Sequence, residues 1–171
     1  KGFFSDVADG VGLGLPDIQF QSQIWLDVDN DSDLDLIATS DRQILLIRNT
    51  DGYFETQLIA NVSHESVPLD CKIRNANEWQ FDRKLSAADF DSDGDIDIFM
   101  SSASANALLI NNNGTLQLAE ASLYNLPQDG LGASWVDYDN DGLLDLHIIP
   151  YGLFRQESEA KFEHTMRLDA S

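Results

Sequence analysis

Three short segments of this sequence concentrate aspartate at a fixed spacing: WLDVDNDSDLDL at 25–36, AADFDSDGDIDI at 87–98 and WVDYDNDGLLDL at 135–146. Numbering each loop from its first aspartate, carboxylates stand at positions one, three, five and nine: Asp27, Asp29, Asp31 and Asp35; Asp89, Asp91, Asp93 and Asp97; Asp137, Asp139, Asp141 and Asp145. Alternate residues of a tight loop point to one side, so the first three can converge, and position nine reaches back from the start of the strand that follows. Carboxylates drawn together repel unless a cation neutralises them or some take up protons. Calcium suits such a group because it accepts about six to eight hard oxygen ligands in flexible geometry, whereas magnesium demands a rigid octahedron and keeps its water. Three structural calcium ions are therefore expected. A lone turn rich in Asp, Asn and Gly is more often merely solvated; recurrence at one spacing is what favours a cation.

Position seven is Asp33, Asp95 and Leu143. A leucine can offer an ion only its backbone carbonyl, and that is the use expected of all three. Position six needs a left-handed turn, which Gly94 and Gly142 supply; Ser32 departs from this and marks the first loop as the more strained or weaker. The opening resembles an EF-hand loop, but that motif needs a bidentate Glu at position twelve and flanking helices. Position twelve here is Ala38, Met100 and Ile148.

The elements that must position these loops are also repeated. The first aspartates are separated by 62 and then 48 residues, and each loop is followed by a short apolar run, a turn, a second apolar run and a turn containing Gly or Asn. Runs of Ile, Leu, Val and Phe bounded by Asn, Asp and Gly read as strands joined by tight turns. Four strands in a unit of about 40 to 50 residues is the pattern of a β-propeller blade. The expectation is an all-β chain of antiparallel four-stranded blades: an outer strand of a preceding blade with its linker at 1–20, a first blade at 21–60, an insertion at 61–85, a second blade at 86–121 and a third at 132–168. Some three and a half blades do not close a ring. The 1–171 segment is expected to be part of a larger propeller, its missing blades supplied by the rest of the chain or by another chain.

The unit resembles the FG-GAP or VCBS repeat of integrin α-subunit propellers. It is most similar to the cartilage acidic protein and ASPIC/UnbV variant, in which a Phe-x-Asp-Val stretch and a Gly-Leu pair precede a Trp-x-Asp-Tyr-Asp-Asn-Asp-Gly loop. Phe4, Asp6, Val7, Gly12, Leu13 and residues 135–142 carry that likeness. The resemblance implies calcium bound between the first two strands of a blade, and extracellular adhesion, ligand binding or scaffolding in place of catalysis.

Composition agrees with a scaffold. Of 171 residues, 43% are hydrophobic, enough for a packed core. A formal net charge of -20 argues against nucleic acid or an anionic membrane surface as a partner. No apolar run is long enough to span a bilayer, and residues 1–10 lack the apolar stretch of a signal peptide; an extracellular or periplasmic location is expected from the resemblance. Cys71 is alone, so no disulfide forms within the chain, and Asn30, Asn61 and Asn113 head weak glycosylation triplets.

No catalytic residue is expected. His64, His147 and His164 lack zinc spacing, no nucleophile elbow or phosphate loop is present, and aspartates held by a cation make poor general acids. Trp25 and Trp135, two residues before their loops, read as inter-blade core. The insertion at 61–85 carries Cys71, Lys72, Arg74, Trp79, Phe81, Arg83 and Lys84, and Arg74 with Trp79 is the expected contact for a protein or glycan ligand. A covering insertion with no partner is the equal alternative. The leading function is a calcium-bound interaction or adhesion module; the alternatives are a lectin-like propeller and an accessory propeller of a secreted hydrolase.

Overall fold

The computed structural model describes residues 3–15, 18–40, 42–62, 83–103, 105–158 and 161–166. Among these residues, twelve strands form three antiparallel sheets of four. The first blade is β1 (Phe20–Leu26), β2 (Asp35–Ser40), β3 (Gln43–Thr50) and β4 (Tyr53–Asn61). The second is β5 (Lys84–Ala88), β6 (Asp97–Ser101), β7 (Ala107–Asn112) and β8 (Thr115–Glu120). The third is β9 (Gly132–Val136), β10 (Asp145–Ile149), β11 (Gly152–Ser158) and β12 (Lys161–Met166). Within each sheet, chain order is spatial order, the up-and-down topology of a propeller blade.

Local sequence sets the hairpins. Asp51-Gly52 and Asn113-Gly114 join the third and fourth strands of the first two blades, with φ of 53°, 85°, 49° and 81°. Positive φ at both central residues is the twist that matches a two-residue hairpin. The pairs Thr50 with Tyr53 and Asn112 with Thr115 close directly over these turns.

The second strands are apolar on both faces because each lies between two layers. Every residue of β2 and of β6 is buried. Ile37, Ile44 and Leu46 of the first blade meet Ile98, Met100, Ala107 and Leu109 of the second. On the opposite face of the second blade, Phe90, Phe99 and Leu108 meet Leu146, Ile148, Phe154 and Phe162 of the third. The remaining face of the first blade, Leu36, Ala38, Leu45 and Ile47, is covered by Leu13, Leu15 and Ile18.

The N-terminal segment departs from expectation. Residues 3–15 form no strand; they hold a single helical turn, α1 (Ala8–Val11), closed by left-handed Gly12. A fourth strand needs the edge of a third strand to bond, and none of the described strands pairs with this segment. The sequence GFFSDVADGVGLG at 2–14 parallels GTLQLAEASLYNLPQDGLG at 114–132, before the third loop, and in the structure the likeness holds at the linker. A 3₁₀ turn at Ala121–Tyr124 is closed by left-handed Asn125, and Leu126 donates to Ala121 O at 3.1 Å as Leu13 does to Ala8 O at 2.9 Å. A Cβ on Gly12 would collide with the Phe54 carbonyl, so the close approach requires glycine.

The ends of the expected 61–85 insertion belong to the sheets. Asn61 closes β4, buried Arg83 donates to the Ser40 carbonyl, and β5 starts at Lys84. Arg74, Trp79, Cys71 and His64 lie outside the described residues.

Candidate metal centres

Each acidic loop spans the turn from a blade's first strand to its second. The chain reverses there through left-handed residues at positions four and six: Asn30 and Ser32, Ser92 and Gly94, Asn140 and Gly142, with φ between 57° and 95°. Position six was legible from its glycines. Position four was not singled out, although Asn, which tolerates this region best after Gly, recurs there in two loops. Ser32, at φ 76°, carries the strain its sequence implied.

Positions one, three and nine converge. Asp27, Asp29 and Asp35 offer one oxygen each within 4.8 Å of one another, as do Asp89, Asp91 and Asp97, and Asp137, Asp139 and Asp145. Position nine is the floor of each site: Asp35, Asp97 and Asp145 are fully buried. One oxygen accepts from the backbone N–H at position two (Val28, Phe90, Tyr138) and the other from an N–H late in the third strand (Asn49, Asn111, Gln156). Position one caps the turn, with Asp27 and Asp137 each accepting two backbone N–H groups and Asp89 accepting that of Gly94 at 3.1 Å.

Positions five and seven lie outside these triads. Asp31, Asp93 and Asp141 accept the N–H at position seven of their own loops. The position-seven carboxylates turn toward the hairpin beyond, Asp33 to Asp51 N at 2.9 Å and Asp95 to Asn113 N at 2.6 Å. Leu143 takes the same place in the third loop without a carboxylate.

Electrostatics strain the triads. Burial pushes the Asp97 carboxyl up to about 7, against the pull of N–H bonds from Asn111 and Phe90, and the charges of Asp91 and Asp93 add to the rise. Burial likewise raises Asp35 and Asp91, the latter further lifted by Asp93. Asp29 Oδ1 and Asp89 Oδ1 are buried with no hydrogen-bond partner, a cost that an ion would remove. An all-oxygen donor set with orphaned oxygens and crowded charge fits a hard divalent cation.

Residues 89–148 match the FG-GAP-like repeat. The matched stretch runs from the first aspartate of the second loop to β10, so it covers the second and third acidic loops and the hairpin between them. No curated protein matches the chain. The repeat and the three four-stranded sheets together give a β-propeller scaffold.

Sequence reasoning missed two arginines. Arg48 bonds Asp29 and donates to Gly114 O at 2.6 Å, while Arg155 bonds Asp139 and Asp141 at 2.7 Å each. Both follow third-strand residues paired to the strand after the loop, a signal visible once the repeats are aligned. Of the described histidines neither joins an acidic triad: His164 stacks on Phe154 at 4.7 Å, and His147 is half-buried in β10.

Proposed function

We propose that this chain is a calcium-bound propeller scaffold serving extracellular protein interaction or adhesion. One observation carries the reading: the same three carboxylates, at positions one, three and nine, meet within 4.8 Å in all three loops. Asp27, Asp29 and Asp35, with their equivalents in the other loops, would hold the ion, and the position-seven carbonyls of Asp33, Asp95 and Leu143 would complete it. The bound ion supplies positive charge that relieves carboxylate repulsion and ties the first strand of a blade to the second. The role is structural. On their residue types alone, Arg74 and Trp79 of the insertion are proposed as the contact for a protein or glycan ligand, with a covering insertion that has no partner as the equal alternative.

Binding only to the folded state stabilises by about 2.7 kcal/mol per site when the ion is a hundredfold above its dissociation constant. Thermal unfolding of the protein in millimolar calcium and in excess EDTA tests this. A fall in midpoint well above 10 °C is expected for three sites; equal midpoints would sink the reading.

A further inference from the structure

The three loops share their aspartates but differ in one neighbouring residue. In the first blade Leu36 pairs with Ile47 and Arg48 follows; in the second Ile98 pairs with Leu109 and Ile110 follows; in the third Leu146 pairs with Phe154 and Arg155 follows. Each of Leu36, Ile98 and Leu146 directly succeeds the position-nine aspartate, so Arg48, Ile110 and Arg155 hold one structural position. Two of the three are fixed cations placed against acidic loops, and the third is an uncharged side chain.

Their contacts are not alike. Arg48 engages one oxygen of Asp29, at position three, and leaves the other, Asp29 Oδ1, buried and unpartnered. Its second nitrogen is held by the Gly114 carbonyl of the next blade, where a Cβ would come within 2.6 Å of Asp29 Cβ. Arg155 takes an oxygen from each of two residues, Asp139 at position three and Asp141 at position five. The loop it faces also has Leu143 where the others have a fifth aspartate. The second loop has five carboxylates, the orphaned Asp89 Oδ1, and Ile110 at the arginine position.

We infer that Arg48 and Arg155 are internal counter-cations that rank the loops for divalent cations, the second filling first, the first next and the third last. The ranking rests on the reading of the loops as cation sites. Its physical basis is the charge an arriving ion meets: five carboxylates in the second loop, five opposed by one guanidinium in the first, and four opposed by one in the third. A guanidinium that already bonds a triad carboxylate, as Arg48 does Asp29 and Arg155 does Asp139, must also give up or share that bond when the ion enters. The same contacts hold the cation-free loops together, so the arginines make the first and third loops less dependent on the ion than the second.

The test is calorimetric titration of the EDTA-stripped chain with calcium at pH 8, for wild type, Asp91→Asn, Arg48→Gln, Arg155→Gln and Ile110→Arg. Wild type should resolve more than one affinity class, with the tightest lost in Asp91→Asn. Arg155→Gln should tighten the weakest class about tenfold, Arg48→Gln should tighten the middle class, and Ile110→Arg should weaken the tightest by a similar factor. If Ile110→Arg does not fold, the two Gln variants still decide the matter. Equal affinities at three sites, or arginine removal that leaves binding unchanged or weaker, overturn the ranking and spare the cation reading. No calcium binding by wild type at millimolar concentration overturns both.

Discussion

Trp135 and Trp25 stand at one position of the repeat, two residues before an acidic loop, yet they live in different surroundings. Trp135 lies at the boundary between the second and third blades, stacked on Phe90 at 5.7 Å, edge-on to Phe99 at 6.3 Å, and donating Nε1–H to Ser86 O at 3.2 Å. Trp25 lies on the leading face of the first blade, 45% exposed, with Phe54 edge-on at 5.8 Å. The difference teaches that the repeat encodes half of an interface at each blade face, and that burial comes from the neighbour that completes it. The polar frame says the same. Asn111 and Gln156 reach across to the loop carbonyls of Val28 and Phe90 in the preceding blade, whereas their counterpart Asn49 bonds Leu34 O of its own loop.

The strongest way to probe the completed boundary is through pH, because Asp97 lies beneath Phe90 there. Its folded pKa, about 7, is above its ordinary value of 3.8. The folded cation-free state therefore keeps a proton that the unfolded chain releases. The stability tied to this proton is fully present below pH 4 and is lost as pH rises through about 7, by at most about tenfold in the folding equilibrium per pH unit. Urea unfolding in EDTA from pH 4 to 8, compared with Asp97→Asn, should show a flatter dependence in the variant. Parallel curves would mean that the boundary does not desolvate this carboxylate.

Truncating the two tryptophans sharpens the comparison directly. Trp135→Ala removes a partly buried ring packed against Phe90, Phe99 and Phe162 and should cost about 2–3 kcal/mol. Trp25→Ala removes a half-exposed ring and should cost under about 1 kcal/mol. Equal losses in calcium-saturated denaturant unfolding would show that the leading face of the first blade is as consolidated as the inner boundary.

How much of this the sequence disclosed follows from the range of the interactions involved. The acidic loops, the Asp51-Gly52 and Asn113-Gly114 hairpins and the four-stranded units were legible because each is specified within a few residues. Trp25 and Trp135 read alike because their difference lies in a neighbouring blade. From its match to residues 114–132 the N-terminal segment reads as the outer strand of a preceding blade, but strand formation requires a bonding edge that sequence pattern does not supply, and residues 3–15 form no strand. Asp29 and Asp139 were found as loop residues, while their arginines sit 16 to 19 positions away along the chain and meet them only through strand register.

The smallest predicted difference isolates one hydrogen bond. Asn111 and Asn49 share their other hydrogen bonds: each backbone N–H donates to the position-nine aspartate, at 2.8 and 2.7 Å, and each side-chain oxygen accepts the hairpin glycine N–H, at 3.0 and 2.9 Å. Only the amide donor differs, crossing to Val28 O at 2.7 Å in one case and staying within the blade at 3.2 Å in the other. Asn111→Ala should cost about 1–3 kcal/mol, since a buried carbonyl loses its donor, and Asn49→Ala should cost less, because water replaces an exposed bond. The gap between the two, measured in saturating calcium so that the loops stay equally loaded, combines the inter-blade bond with the deeper burial of Asn111. If it vanishes, the Asn111 bond does not distinguish a completed blade face from an open one, and the boundary draws its strength from its apolar packing and its other crossing bonds.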